Sequence, residues 1–230
     1  MKFKQFYLGC LAHASYYIGS ENEAAIIDPQ RDVQQYLDEA KANGQKIKYI
    51  IETHSHADFV SGHIDLAAKT GAVIVYGPTA ETGFYSLVAE DEEIFTIGDA
   101  KIKVLHTPGH TMESVCYLLY DETGKEHAVF TGDTLFVGDV GRPDLAIKSD
   151  LTLEDLAGLL YESLNKKIKT LQDDVIVYPA HGAGSACGKN IGKETFSTIG
   201  HQKKTNYALQ PMTKEEFVVA VTDGLSEPPT

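Results

Sequence analysis

Long apolar runs are missing from this chain: no stretch of the 230 residues approaches the ~20 apolar residues needed to cross a bilayer. The opening residues, Met1-Lys2-Phe3-Lys4-Gln5-Phe6-Tyr7, carry neither the apolar core nor the cleavage site of a secretory leader. Cysteine is scarce, three residues and an odd number, which supplies no disulfide framework. Basic charge is in deficit: 20 Lys and Arg face 33 Asp and Glu, a formal net charge of −13. Phosphates want a basic surface, so nucleic acid and anionic membranes are not expected partners. Short-period repeats and low-complexity runs are absent too. A cytoplasmic globular protein is the expectation.

What is present is ordinary for such a protein: 43% hydrophobic and 23% charged residues, with length enough for one real core. Residues 3–18 and 24–27 read as a β-hairpin broken at 19–22, followed by Asp28-Pro29 as a turn. Asp32 can cap a helix that runs to Asn43 and stops at Gly44. A strand at 47–51, a helix from 61 to 69 ending near Gly71, and a strand at 72–76 form a β-α-β unit. Residues 77–91 are irregular and predict a short helix. Strands at 93–99, 100–105, 115–120 and 127–130 pair as hairpins. A helix at 153–164, a last strand at 174–178 and a closing helix at 213–221 complete the pattern. The pattern defines an α/β protein with mixed sheets, one domain over 1–223 and a linker or frayed end over 224–230.

The chemistry concentrates where apolar strands stop. Thr53-His54-Ser55-His56-Ala57-Asp58-Phe59 follows the strand at 47–51 directly. Thr107-Pro108-Gly109-His110, Thr131-Gly132-Asp133 and Tyr178-Pro179-Ala180-His181-Gly182 likewise end strand-like runs. Ligand sites of α/β sheets lie at the carboxyl ends of their strands. His and Asp recurring there at long intervals are hard to explain as packing and read as metal ligands.

An HxHxD after a strand, then a Gly-His, a Gly-Asp and an Ala-His-Gly, resembles the metallo-β-lactamase superfamily. Within it the chain is similar to the glyoxalase II and persulfide dioxygenase branch, over nearly its whole length. The resemblance implies an αββα sandwich of two mixed sheets flanked by helices. Hydrolases of this superfamily commonly hold two ions and use a His directly after the motif's Asp, where this chain has Phe59. A phenyl ring has no lone pair to donate, so a second site loses a ligand. What the resemblance then implies is one Fe(II) per chain held by His54, His110 and Asp133, with dioxygen as co-substrate and a small thiol persulfide of glutathione, coenzyme A or a similar carrier as substrate. His56, Asp58 and His181 then become groups that orient these ligands or move protons, with direct ligation as the alternative.

Arg142, in Gly141-Arg142-Pro143-Asp144, offers a planar fork to a substrate carboxylate, or else pairs with Asp144 to anchor its loop. Cys187, in a Gly-rich loop near Lys189, either has a lowered pKa and carries sulfane sulfur or is a small buried residue. Cys10 and Cys116 read as core, and His13, His63, His106, His127 and His201 as structural or exposed. The alternatives to the dioxygenase are a glyoxalase II-like zinc thioester hydrolase and a non-catalytic sulfur-relay or binding domain. A rhodanese domain or partner and a homo-oligomer stay open.

Overall fold

The computed structural model describes residues 1–144 and 151–225. Two six-stranded mixed sheets lie face to face. The first takes β1 (Lys2–Leu8), β2 (His13–Ser20), β3 (Glu23–Ile27), β4 (Lys46–Ile51), β5 (Val73–Tyr76) and β6 (Leu87–Val88) in that spatial order. Its first three strands are antiparallel and the rest run parallel to β3. The second holds β7 (Ile94–Ile97), β8 (Ala100–His106), β9 (Val115–Tyr120), β10 (Glu126–Gly132), β11 (Ile176–Pro179) and β12 (Ser197–Thr198), again in sequential order, with β10 and β11 parallel.

Alternation builds the central layer. Tyr16, Ile18, Ala25, Ile27 and Ile51 from the first sheet meet Ile102, Val104, Tyr117, Leu119 and Phe130 from the second. The central strands β2, β3, β9 and β10 are buried on both faces, since helices cover each outer side. Helices α1 (Gln34–Asn43) and α2 (His63–Thr70) cover the first sheet through Tyr36, Ala40 and Leu66. Helices α3 (Leu153–Ser163) and α5 (Lys214–Thr222) cover the second through Leu156, Leu160, Phe217 and Val221, with α4 (Ile199–Thr205) beside them. This is the expected αββα sandwich. No helix among the described residues is long and apolar enough to cross a membrane.

Helix ends follow local chemistry. Gly44 and Gly71 close α1 and α2 in the left-handed region, as expected, with φ of 65° and 71°. Thr152 and Thr213 cap α3 and α5 as reciprocal capping boxes with Asp155 and Glu216. At α1 the Asp32 side chain accepts from Gln34 N–H at 3.1 Å, one residue ahead of the helix cap.

Four readings need correction. Residues 3–18 form two strands, because the chain reverses at Gly9–Ala12 through Leu11 N–H to Leu8 O and Ala12 N–H to Gly9 O. The helix expected within 77–91 is a looped segment with β6, where Thr82 Oγ1 bonds Phe84 O and competes with helical pairing. The helix after Thr152 continues past Ser163 as a wider turn over Leu164–Ile168. Strand β12 and helix α4 stand where no element was read. The expected tail lies, from residue 226 on, outside the described residues.

Candidate metal centre

The carboxyl ends of β3, β4, β8, β10 and β11 gather at one edge of the sandwich. There the sheets are stitched together by Val115 N–H to Thr53 O at 2.9 Å and Ala14 N–H to Ala180 O at 2.8 Å. Gly132 turns at φ 51°, and a Cβ there would meet the Thr53 side chain at 2.6 Å. Gly141 is equally constrained: a Cβ would press on Asp133 O at 1.9 Å. These glycines let the loops bearing His54, Asp133 and Arg142 approach one another.

His54, His110 and Asp133 come together, as the sequence reading expects, with ligating atoms within 4.8 Å of one another. Their Nε2 atoms lie 3.8 and 3.5 Å from Asp133 Oδ2. The hydrogen bonds behind them fix the tautomers. Thr53 Oγ1 spends its proton on Asp28 Oδ2 at 2.8 Å, so it accepts from His54 Nδ1 at 3.0 Å. The Arg142 carbonyl can only accept, so His110 Nδ1 donates to it at 2.9 Å. Both Nε2 lone pairs are thereby freed toward Asp133. His181 Nδ1 donates to Asp133 Oδ1 at 2.8 Å, while Oδ2 is buried without a hydrogen-bond partner among the described residues. An orphaned carboxylate oxygen facing two imidazole lone pairs is the donor set of a divalent metal ion.

Electrostatics agree. Burial and the neighbouring His56 hold the His54 pKa well below its ordinary value, so the ring stays neutral. Burial would raise the Asp133 pKa, but His181, His54 and His110 keep it well below the usual carboxylate range. His181 is pushed to about 9, burial opposing and Asp133 and Asp58 prevailing. Asp58, a third of its side chain exposed, lies 2.9 Å from His181 Nε2.

The His56 Nε2 lies 3.2 Å from Asp28 Oδ1 and 3.4 Å from Glu52 Oε2, while its Nδ1 is buried without a hydrogen-bond partner among the described residues. Burial opposes a charge on this ring, yet the two carboxylates raise its pKa well above the ordinary value. Asp28 and Glu52 stand at this edge beside His56 and are not singled out by the sequence reading, in which Asp28 is part of a turn. Glu52 sits directly between an apolar strand and the Thr-His pair, a place that suits a solvated strand end equally. His13 and His63, read as structural or exposed, also belong here. His13 packs against Phe59 with ring centroids 4.1 Å apart and the rings tilted by 42°, and His63 Nδ1 lies 3.0 Å from Glu52 Oε1.

Cys187 joins Asp58 and His181 in a second group of potential ligands within 4.8 Å. Its thiol is buried, and burial together with Asp133 pushes the pKa up, not down. Lys189, expected to lower it, instead donates to the Ala220 and Asp223 carbonyls at the end of α5. Arg142 is buried with its fork on Asp144: Nε donates to Oδ1 and Nη2 to Oδ2, both at 2.6 Å. The Arg142 N–H donates to Cys187 O at 2.9 Å, which ties the two loops.

Residues 8–181 match the metallo-beta-lactamase superfamily, and the chain belongs to it. Two curated relatives from Schizosaccharomyces pombe, both named probable hydroxyacylglutathione hydrolases, are 35% identical over 162 and 160 residues. The chain spans 59% and 58% of their lengths, and the alignments cover 69% and 68% of this chain. Among solved structures, a metallo-beta-lactamase from Staphylococcus aureus subsp. aureus COL is 38% identical with a TM-score of 0.90, covering 100% of this chain and 69% of that one. ETHE1 from Myxococcus xanthus is 28% identical with a TM-score of 0.83, covering 99% and 93%.

Proposed function

We propose that this chain is a mononuclear non-haem iron dioxygenase that oxidises a low-molecular-weight thiol persulfide to sulfite and the free thiol. In balance, one persulfide, one dioxygen and one water give one thiol, one sulfite and two protons. The outer sulfur loses four electrons, and dioxygen accepts them. The observation that carries this reading is the donor set: two imidazoles and one carboxylate converge, His56 groups with Asp28 and Glu52, and Phe59 stands where a further imidazole would be needed. When bound, Fe(II) would supply open positions beside His54, His110 and Asp133 at which substrate and dioxygen are brought together.

The chain's own residues do the rest. Thr53 and the Arg142 carbonyl aim the two imidazoles, and His181 fixes the rotation of the Asp133 carboxylate. Asp58 and His181 form a pair that opens to solvent and can pass protons. Phe59 and His13 pack together on one side. Cys187 lines the opposite flank as a substrate contact, and Arg142 is assigned to anchoring the loop through Asp144. The likeness to ETHE1 supports this branch.

One observation favours a second reading. Asp58, His181 and Cys187 could together hold another ion, and the curated relatives are named probable hydroxyacylglutathione hydrolases. On that reading the chain is a glyoxalase II-like zinc enzyme. Metal analysis of anaerobically purified protein, with oxygen uptake on glutathione and coenzyme A persulfides, separates the two: one iron and uptake support the first, two zinc ions and thioester cleavage the second.

A further inference from the structure

We propose that Asp139 is a positioning residue of the metal centre: its buried carboxylate locks the loop that bears the Arg142 carbonyl, and through that carbonyl it sets how His110 presents Nε2. This rests on the ligand set of the reading above and names what holds one of its members from outside.

Asp139 is 0% exposed, and no cation pairs with it among the described residues. A carboxylate taken out of water in this way is costly unless donors replace the water. Three do. Oδ1 accepts from Val140 N–H at 2.8 Å and from Tyr207 O–H at 3.1 Å, and Oδ2 accepts from Asn190 N–H at 2.6 Å. Bonds to an ionised acceptor are stronger than those to a neutral one. Every partner is a donor, so only an acceptor-only group suits all three; an asparagine would set its own N–H₂ against one of them.

Those donors come from two different parts of the fold. Residues 187–192 run alongside residues 137–142 and are tied to them three times: Gly192 N–H to Val137 O at 2.8 Å, Asn190 N–H to Asp139, and Arg142 N–H to Cys187 O at 2.9 Å. The middle tie is made by the Asp139 side chain. From the outer layer, Gln202 of α4 accepts from Gly138 N–H at 2.9 Å, Asn206 donates to the Asp139 carbonyl at 3.0 Å, and Tyr207 reaches the carboxylate. Asp139 is thus the post on which the outer layer and the 187–192 segment meet.

Two residues on, the loop has no slack. A Cβ at Gly141 would press on Asp133 O at 1.9 Å and lie 3.0 Å from His110 Nδ1. The next carbonyl, that of Arg142, receives His110 Nδ1–H at 2.9 Å. The aim of this backbone oxygen is the aim of the loop, and a shift of the loop turns the imidazole with it. The same ties hold Cys187 beside Asp58 and His181, so one carboxylate keeps both loops at the centre in register.

The test measures cobalt(II) affinity by chelator competition, together with the visible ligand-field spectrum, in full-length protein. The variants are Asp139→Asn, Tyr207→Phe, His110→Ala and His110→Ala combined with Asp139→Asn. Leu66→Ala, under α2 on the other sheet, controls for lost stability alone. Asp139→Asn should lower affinity about tenfold, the lower end of what loss of an outer partner of a ligand costs, and shift the spectrum. Tyr207→Phe should move both the same way by less, and Leu66→Ala should move neither. With His110 already replaced, Asp139→Asn should have no further effect, as groups acting through one another require. Parent-like affinity and spectrum in Asp139→Asn, an effect additive with His110→Ala, or an equal loss in Leu66→Ala each overturn the role of Asp139. Should Asp139→Asn not fold, Tyr207→Phe with and without His110→Ala is judged by the same criteria. Unchanged affinity in His110→Ala itself overturns the ligand set and this role with it.

Discussion

His181 Nδ1 donates to Asp133 Oδ1 at 2.8 Å, and this one contact sets the direction in which the carboxylate presents its other oxygen. Oδ2 is left to His54 and His110. Replacing Asp133 by Ala should abolish iron retention and oxygen uptake together. His181→Gln should weaken iron affinity by about ten- to a hundredfold, the usual loss when an outer partner of a ligand is removed. Equilibrium dialysis against ferrous iron measures both, and full retention by Asp133→Ala would remove it from the ligand set.

On the proposed reading, Phe59 is the position that separates one ion from two. An imidazole there would stand beside Asp58 and His181, close to the rings of His13 and His56 that Phe59 now packs against. Phe59→His protein supplied with zinc should bind a second ion and acquire weak thioesterase activity, since a bridged water would then be acidified. Zinc counts per chain that do not rise would show that the missing imidazole is not what limits the second site.

The ligand triad was legible because each member ends an apolar strand beside Gly, Pro or Thr, a pattern packing does not produce. The sandwich was legible for a similar reason: period-2 strands and capped helices alternate clearly. Glu52 and Asp28 were not, because a carboxylate at a strand end reads equally as a solvated turn until its partner, His56, is seen rotating onto it. Of the two readings open for Cys187, the structure shows the buried one: nearness in sequence says nothing about direction, and Lys189 reaches back to α5. Helix α4 escaped because residues 190–205 have no clean periodicity and gain their order from contacts such as Gln202 Oε1 on Gly138 N–H.

Arg142 offers a direct test of anchoring against substrate binding. Its guanidinium is buried and paired bidentately with Asp144, and its carbonyl orients His110. Arg142→Ala should destabilise the fold by ~3 kcal/mol, as breaking a buried pair does. It should also lower iron retention and kcat. A rise in KM alone, with stability and metal content unchanged, would return Arg142 to the substrate.

His13 makes the metal-free protein acid-sensitive. Both ring nitrogens are buried without partners among the described residues, and burial, then His56 and His181, press its pKa from 6.5 to about 3. The unfolded chain takes up a proton near pH 6.5 while the folded chain does not. Its contribution is therefore complete above about pH 6.5 and lost progressively as pH falls toward 3. Urea denaturation midpoints of His13→Phe should decline less steeply than the parent's across that window. Parallel slopes would mean His13 is solvated or paired in solution.

The central claim is one iron performing oxygenation. Protein purified without oxygen and loaded with Fe(II) is mixed with glutathione persulfide in an oxygen electrode, with sulfite and metal counted in the same sample. The account predicts one iron per chain and one sulfite formed per dioxygen consumed, with no cleavage of a glutathione thioester. Two ions per chain, hydrolysis of the thioester and no oxygen uptake would contradict it.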